Sequence, residues 1–176
     1  MTDKTKKYLK GLGLSAAIIA FALALDLITK TVTDGVYVQL IPNFLYFTSA
    51  HNYNAAFSFD FGLPNNVFLV VVPIVTFFAL GGMLFILVWI KEKHILFTAA
   101  LSMIFSGALG NLIDRLAFGY VRDFIHVKYF GLELFGSTSF AIFNIADSAL
   151  ICGVAVMLVW VIFFYRPKEE KEKKDK

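Results

Sequence analysis

Acidic residues are scarce in this chain, and cysteine is almost missing. Only 13 of 176 residues are Asp or Glu, and Cys152 stands alone. One cysteine permits no internal disulfide, so the redox compartment stays open; its apolar setting reads as a small buried residue. His51, His94 and His126 form no motif such as H-E-x-x-H, so no metal centre is expected. Ser148 lacks a nucleophile-elbow context, which argues against serine chemistry. No internal repeat occurs, and the charged tail at 166–176 is the one stretch whose composition predicts disorder.

Apolar residues fill the rest. They make up 59% of the chain, and the mean hydropathy is +0.73, where soluble domains average roughly 45–50% apolar. Four hydrophobic stretches approach or exceed the roughly 20 residues that cross a hydrocarbon core. They predict spans at about 11–31, 67–90, 95–114 and 141–165 in a single membrane domain of residues 1–165. The second contains Pro73, which a membrane helix tolerates. Ala22-Leu23-Ala24 after a Lys-rich start mimics a secretory signal, but the run is long and Asp26 and Lys30 lie beyond it.

The net charge of +3 acquires meaning once mapped. Twelve of the 16 Lys and Arg sit at the start, at Lys91 and Lys93, or in the tail from Arg166. Four spans bring these segments to one side, which the positive-inside rule makes cytoplasmic, both termini included. The tail's Glu169, Glu170 and Glu172 dilute its charge, so membrane lipids rather than nucleic acid are its expected partner. The two long connections then fall outside. In the region 36–61, Val36–Leu40, Phe44–Thr48 and a possible third run, Ala55–Phe59, predict a small antiparallel sheet on the outer face. The segment 121–139 is amphipathic and predicts a short interfacial helix or a flap.

Polar residues interrupt this grease at one depth. With a rise of about 1.5 Å per residue, Asp26 lies roughly 22 Å along the first span and Asp114 roughly 28 Å along the third. Asn144 and Asp147 begin the fourth span from outside, and Asp123 follows the third. Asp26, Lys30, Asn111, Asp114, Arg115, Asp123, Asn144 and Asp147 therefore share one outer layer. Ionisable groups so placed are a functional-site hypothesis by default. Asp26 and Lys30 are i,i+4 and can pair. Asn111 faces the same way as Asp114 and Arg115, and Asn144 the same way as Asp147. Ser102, Ser106 and Gly110 form a small-residue stripe that permits close helix approach.

Two adjacent carboxylates in a low dielectric share a proton, so one activates water while the other protonates a carbonyl. Asp26 has Lys30 as counter-ion and Asp114 has Arg115 nearby, leaving Asp123 and Asp147 as the better candidates. Each acid also has a bland reading: a structural ion pair for Asp26, an interfacial cap for Asp114, a loop acid for Asp123, and an early-turn acid for Asp147. A transporter subunit and a signal-peptide-binding assembly factor are the rival functions. The first predicts polar groups throughout the membrane's depth, yet the middles of spans two and four carry no charge.

Five blocks in order carry a resemblance: Asp26–Lys30, Asn52–Ser58, Gly110–Arg115, Val121–Phe124 and Phe143–Asp147. In these the chain resembles the bacterial lipoprotein signal peptidases, or signal peptidase II. The resemblance implies a four-span enzyme of the bacterial inner membrane with a sheet cradle over an active site near the periplasmic face. It implies an aspartyl endopeptidase that cuts diacylglyceryl-modified prolipoproteins just before the lipidated cysteine, with no cofactor. Asp123 and Asp147 would be the catalytic pair. Asn52, Asn111, Arg115 and Asn144 would hold substrate backbone or orient that pair, with Asp26, Lys30 and Asp114 in support. Nothing demands a partner subunit, so a monomer is expected. One departure is Asn54, where the family usually has Gly; Asn also tolerates positive φ.

Overall fold

A computed structural model describes residues 1–53, 65–89, 94–133 and 137–165. The Ala55–Phe59 run, Asn54, the Lys91–Lys93 turn and the charged tail lie outside the described residues. The elements are α1 (Asp3–Val32), β1 (Val38–Ile41), β2 (Leu45–Asn52), α2 (Asn65–Trp89), α3 (Ile95–Phe118), β3 (Val121–Val127) and α4 (Ile145–Phe163). The molecule is mainly helical, with one three-stranded antiparallel sheet of order β1-β2-β3.

All four helices are long and apolar enough to cross a membrane. Their surfaces agree with that reading: Phe78 and Phe21 are each 72% exposed, and Ile162 is 70% exposed. Apolar patches of this extent suit lipid rather than water. The interior is the reverse. Its most enclosed side chains include Lys30, Asn144, Asp26, Asp114, Ser102 and Thr98. Cys152, expected to be buried, is exposed on α4, because a helix that meets lipid turns apolar residues outward.

Local chemistry sets the ends. Thr2 caps α1 by accepting from the Thr5 N–H, and His94 Nδ1 accepts from the Leu96 N–H at the start of α3. Gly119 ends α3 in the left-handed conformation, φ 80°, with its N–H on the Arg115 carbonyl. Glycine pays least for that geometry, and the chain passes at once into β3. The expected helix or flap over 121–139 therefore begins as a strand. Val121–Val127 pairs antiparallel with β2, and Ile125 also bridges Phe143. An amphipathic run of β-branched and aromatic residues fits either period, and long-range pairing decides it. Since Phe143 is taken up by β3, α4 starts at Ile145.

The helix core is made close by small residues. A Cβ on Gly107 would collide with the Ala146 carbonyl, and one on Gly110 would sit 2.6 Å from Asp26 Oδ2. On α4, a Cβ on Gly153 would meet the Ala100 carbonyl at 2.9 Å. Ser102 and Ser106 are buried, as the stripe predicts, each with its hydroxyl returned to its own helix backbone. The residues that bring α3 against α4 are Gly107, Gly110 and Gly153.

Candidate active site

Asn144 is the junction of the site. It is the N-cap of α4, and its Oδ1 accepts from the Asp147 N–H at 2.9 Å while Asp147 Oδ2 accepts from the Asn144 N–H at 3.4 Å. This reciprocal capping box fixes the Asp147 carboxyl in the first turn. The other end of the Asn144 amide donates to Asp123 Oδ1 at 2.6 Å. One residue thus meets both carboxyls, Asp123 through its side-chain amide and Asp147 through its backbone N–H.

Three further elements converge there. The β2–β3 register sets Ala50 opposite Asp123, so Asn52, two residues on, shares its face. Asn52 Nδ2 donates to Asp123 Oδ2 at 2.9 Å. From α3, Asn111 Nδ2 donates to Asp147 Oδ1 at 2.8 Å, and Asn111 Oδ1 accepts from Asn144 Nδ2 and from Lys30 Nζ, both at 3.1 Å. Asp123 and Asp147 are each 2% exposed, and neither forms an ion pair among the described residues. Burial first, and then the charge of Asp147, push the Asp123 carboxyl up to about 7; the Asn52 and Asn144 amides oppose this.

Beside the acid pair lies a cluster of compensated charge. Lys30 Nζ is 2.8 Å from Asp26 Oδ2 and 3.3 Å from Asp114 Oδ2. Asp26 Oδ1 accepts from the Ala146 N–H at 2.8 Å, tying α1 to the start of α4. Arg122 donates to Asp114 through Nη2 at 2.8 Å and through its backbone N–H at 3.0 Å. The hydrogen bond to Asp114 is the main reason its guanidinium is held above its ordinary value.

The predicted layer is thus assembled, with three partners changed. Asp114 is neutralised by Arg122 and Lys30, whereas the sequence suggested Arg115. Arg115 Nη1 instead reaches the Asn111 carbonyl at 3.4 Å. The Asn111 side chain turns to Asp147, Asn144 and Lys30 rather than to Asp114 and Arg115. Arg122 is the residue that sequence reasoning undervalued. Strand alternation was the available signal: in a strand, Arg122 points away from the face that Asp123 occupies. Among the described residues, no group of three His, Cys, Asp or Glu is arranged to hold a metal ion.

A family model described as Signal peptidase (SPase) II matches residues 18–164. The chain belongs to the signal peptidase II family. Among its relatives, the lipoprotein signal peptidases of Staphylococcus aureus strains JH9 and Newman are each 34% identical over 174 residues. Each alignment covers 96% of this chain and 99% of the relative. Two solved bacterial membrane enzymes, at 2.3 and 1.9 Å, superpose with a TM-score of 0.71 and 32% identity. They cover 85% and 87% of this chain, and 88% and 95% of their own. As a signal peptidase II, the chain is a peptidase and a multi-pass bacterial membrane protein.

Proposed function

We propose that this peptidase is of the aspartyl type, with Asp123 and Asp147 as its catalytic pair. It removes the signal peptide from diacylglyceryl-modified prolipoproteins, cutting just before the lipidated cysteine. The observation that carries this reading is that Asn144 holds both buried acids, its side-chain amide on the Asp123 carboxyl and its backbone N–H on the Asp147 carboxyl, while neither acid forms a salt bridge among the described residues.

Buried carboxyls of like charge share a proton, and the shared proton belongs to the pair. With one proton held, one carboxylate accepts a proton from water as that water attacks the scissile carbonyl. The other carboxyl donates to the carbonyl oxygen, and the collapsing intermediate sends a proton to the leaving amine. Asn144 fixes the spacing of the acids, Asn52 orients Asp123, and Asn111 orients Asp147. Asp26, Lys30 and Asp114 stabilise the frame, and Arg115 buttresses the Asn111 turn. No cofactor enters these steps. The acids lie at the sheet end of the helices, which the positive-inside rule assigns to the periplasmic face of the inner membrane, both termini being cytoplasmic. At that depth a lipid-anchored peptide meets water. Residues 1–165 act as one membrane domain, and a monomer suffices.

Purified Asp123→Asn and Asp147→Asn proteins are expected to bind a synthetic diacylglyceryl lipobox peptide in detergent yet cut it about a thousandfold more slowly. Near-parental cleavage by either variant would overturn the mechanism. Equal cleavage of the unlipidated peptide would overturn the substrate assignment.

A further inference from the structure

Lys30 is a fully enclosed cation that takes no direct part in the chemistry above. It lies on α1, at the same level as the acid pair, and its Nζ donates to Asn111 Oδ1 at 3.1 Å. The opposite end of the same amide donates to Asp147 Oδ1 at 2.8 Å. An ammonium has donors only, so it accepts only the oxygen end of Asn111. It therefore turns the amide nitrogen toward Asp147. A flipped Asn111 would face an N–H donor to the ammonium and an oxygen to the Asp147 carboxyl, which loses both contacts.

We infer that Lys30 is a positioning residue of the peptidase, acting through Asn111 to set the orientation and the charge state of the acid pair. The inference rests on the reading of Asp123 and Asp147 as that pair. Every charged group facing the pair bears on it: Asp26 with Lys30 from α1, Asp114 and Arg115 from α3, and Arg122 from β3. Asp26 is engaged by Lys30 and the Ala146 N–H, and Asp114 by Arg122. Lys30 is joined to Asp147 through the single side chain of Asn111. Its positive charge opposes the rise at Asp123. A purely architectural lysine would stabilise α1 against α3 and leave the titration of the pair alone.

The test is the pH profile of lipopeptide cleavage by Lys30→Gln, which keeps a donor but removes the charge. The expected result is a kcat about tenfold lower, a KM within about twofold, and an alkaline limb moved up by about one pH unit. Lys30→Arg is expected to return the limb to the parental position. If Lys30→Gln does not fold, Asp26→Asn/Lys30→Gln retains an acceptor for the Ala146 N–H. It is expected to lower kcat and move the limb in the same direction by less. A limb that coincides with the parent's, or failure of both variants to fold, assigns Lys30 to architecture and overturns the inference. Asp123→Asn and Asp147→Asn run in parallel separate the two ideas. If they are inactive while the limbs coincide, only the role of Lys30 falls; if they remain active, the catalytic pair itself falls.

Discussion

Asn144 joins folding to chemistry in one side chain. As an N-cap it contributes about 1 kcal/mol to α4, and through its amide it fixes Asp123 relative to Asp147. The acid pair it holds has a pH signature. Asp123 is pushed up to about 7, chiefly by burial and then by Asp147. A carboxyl raised this far holds its proton below neutrality and loses it as the pH climbs through that value. Since the mechanism needs one proton on the pair, kcat is expected to fall about tenfold per pH unit well above 7. A rate that rises steadily to pH 9 would exclude the shared proton. The sequence singled out the residues that the fold brings together here, because carboxylates and amides stand out against apolar surroundings. It did not show which partner each would take. Arg115 is adjacent to Asp114 in the chain, yet Arg122, eight residues away, makes the ion pair.

At the level of elements, the site depends on how closely α4 lies against α3. Gly107 admits the Ala146 carbonyl, and Gly110 admits Asp26. The first contact is to the turn that presents Asp147, and Asp26 in the second accepts from the Ala146 N–H of that same turn. Gly107→Ala is expected to lower stability by about 1–3 kcal/mol, because the atom in the way is backbone and does not yield. Cleavage should fall with it as the first turn of α4 shifts. Gly13 has nothing within 4 Å of a Cβ, so Gly13→Ala is expected to leave activity intact and stability equal or slightly higher. Thermal unfolding in detergent distinguishes the two; equal melting temperatures would show that α3 and α4 can separate without cost. Element types were readable for the helices, where long apolar runs leave little choice. Residues 121–127 were not readable, since their pairing partners, β2 and Phe143, are distant in sequence.

For the whole molecule, the arrangement is that of a protein turned toward lipid, with polar groups enclosed at one end and aromatic and aliphatic residues outside. The proposed orientation puts the sheet and acid pair at the periplasmic face and residue 3 in the cytoplasm. In a Cys152→Ser background, Ser137→Cys is expected to react with a membrane-impermeant thiol reagent in intact spheroplasts. Asp3→Cys should react only after the membrane is opened. The reverse pattern would invert the topology and place the chemistry on the wrong side for an exported precursor.

By itself the sequence determined that the chain is a membrane protein, the number of spans and the grouping of the polar residues in one layer, because hydrophobic length and charge placement act locally along a chain. It also determined the family, through five short blocks. The tertiary structure decided the strand over 121–127, the Asp114–Arg122 pair and the two-ended grip of Asn144 on Asp123 and Asp147. Those depend on backbone hydrogen bonds and side-chain contacts between remote segments. Their energies exist only once the helices have closed against one another and removed the alternatives that water offers.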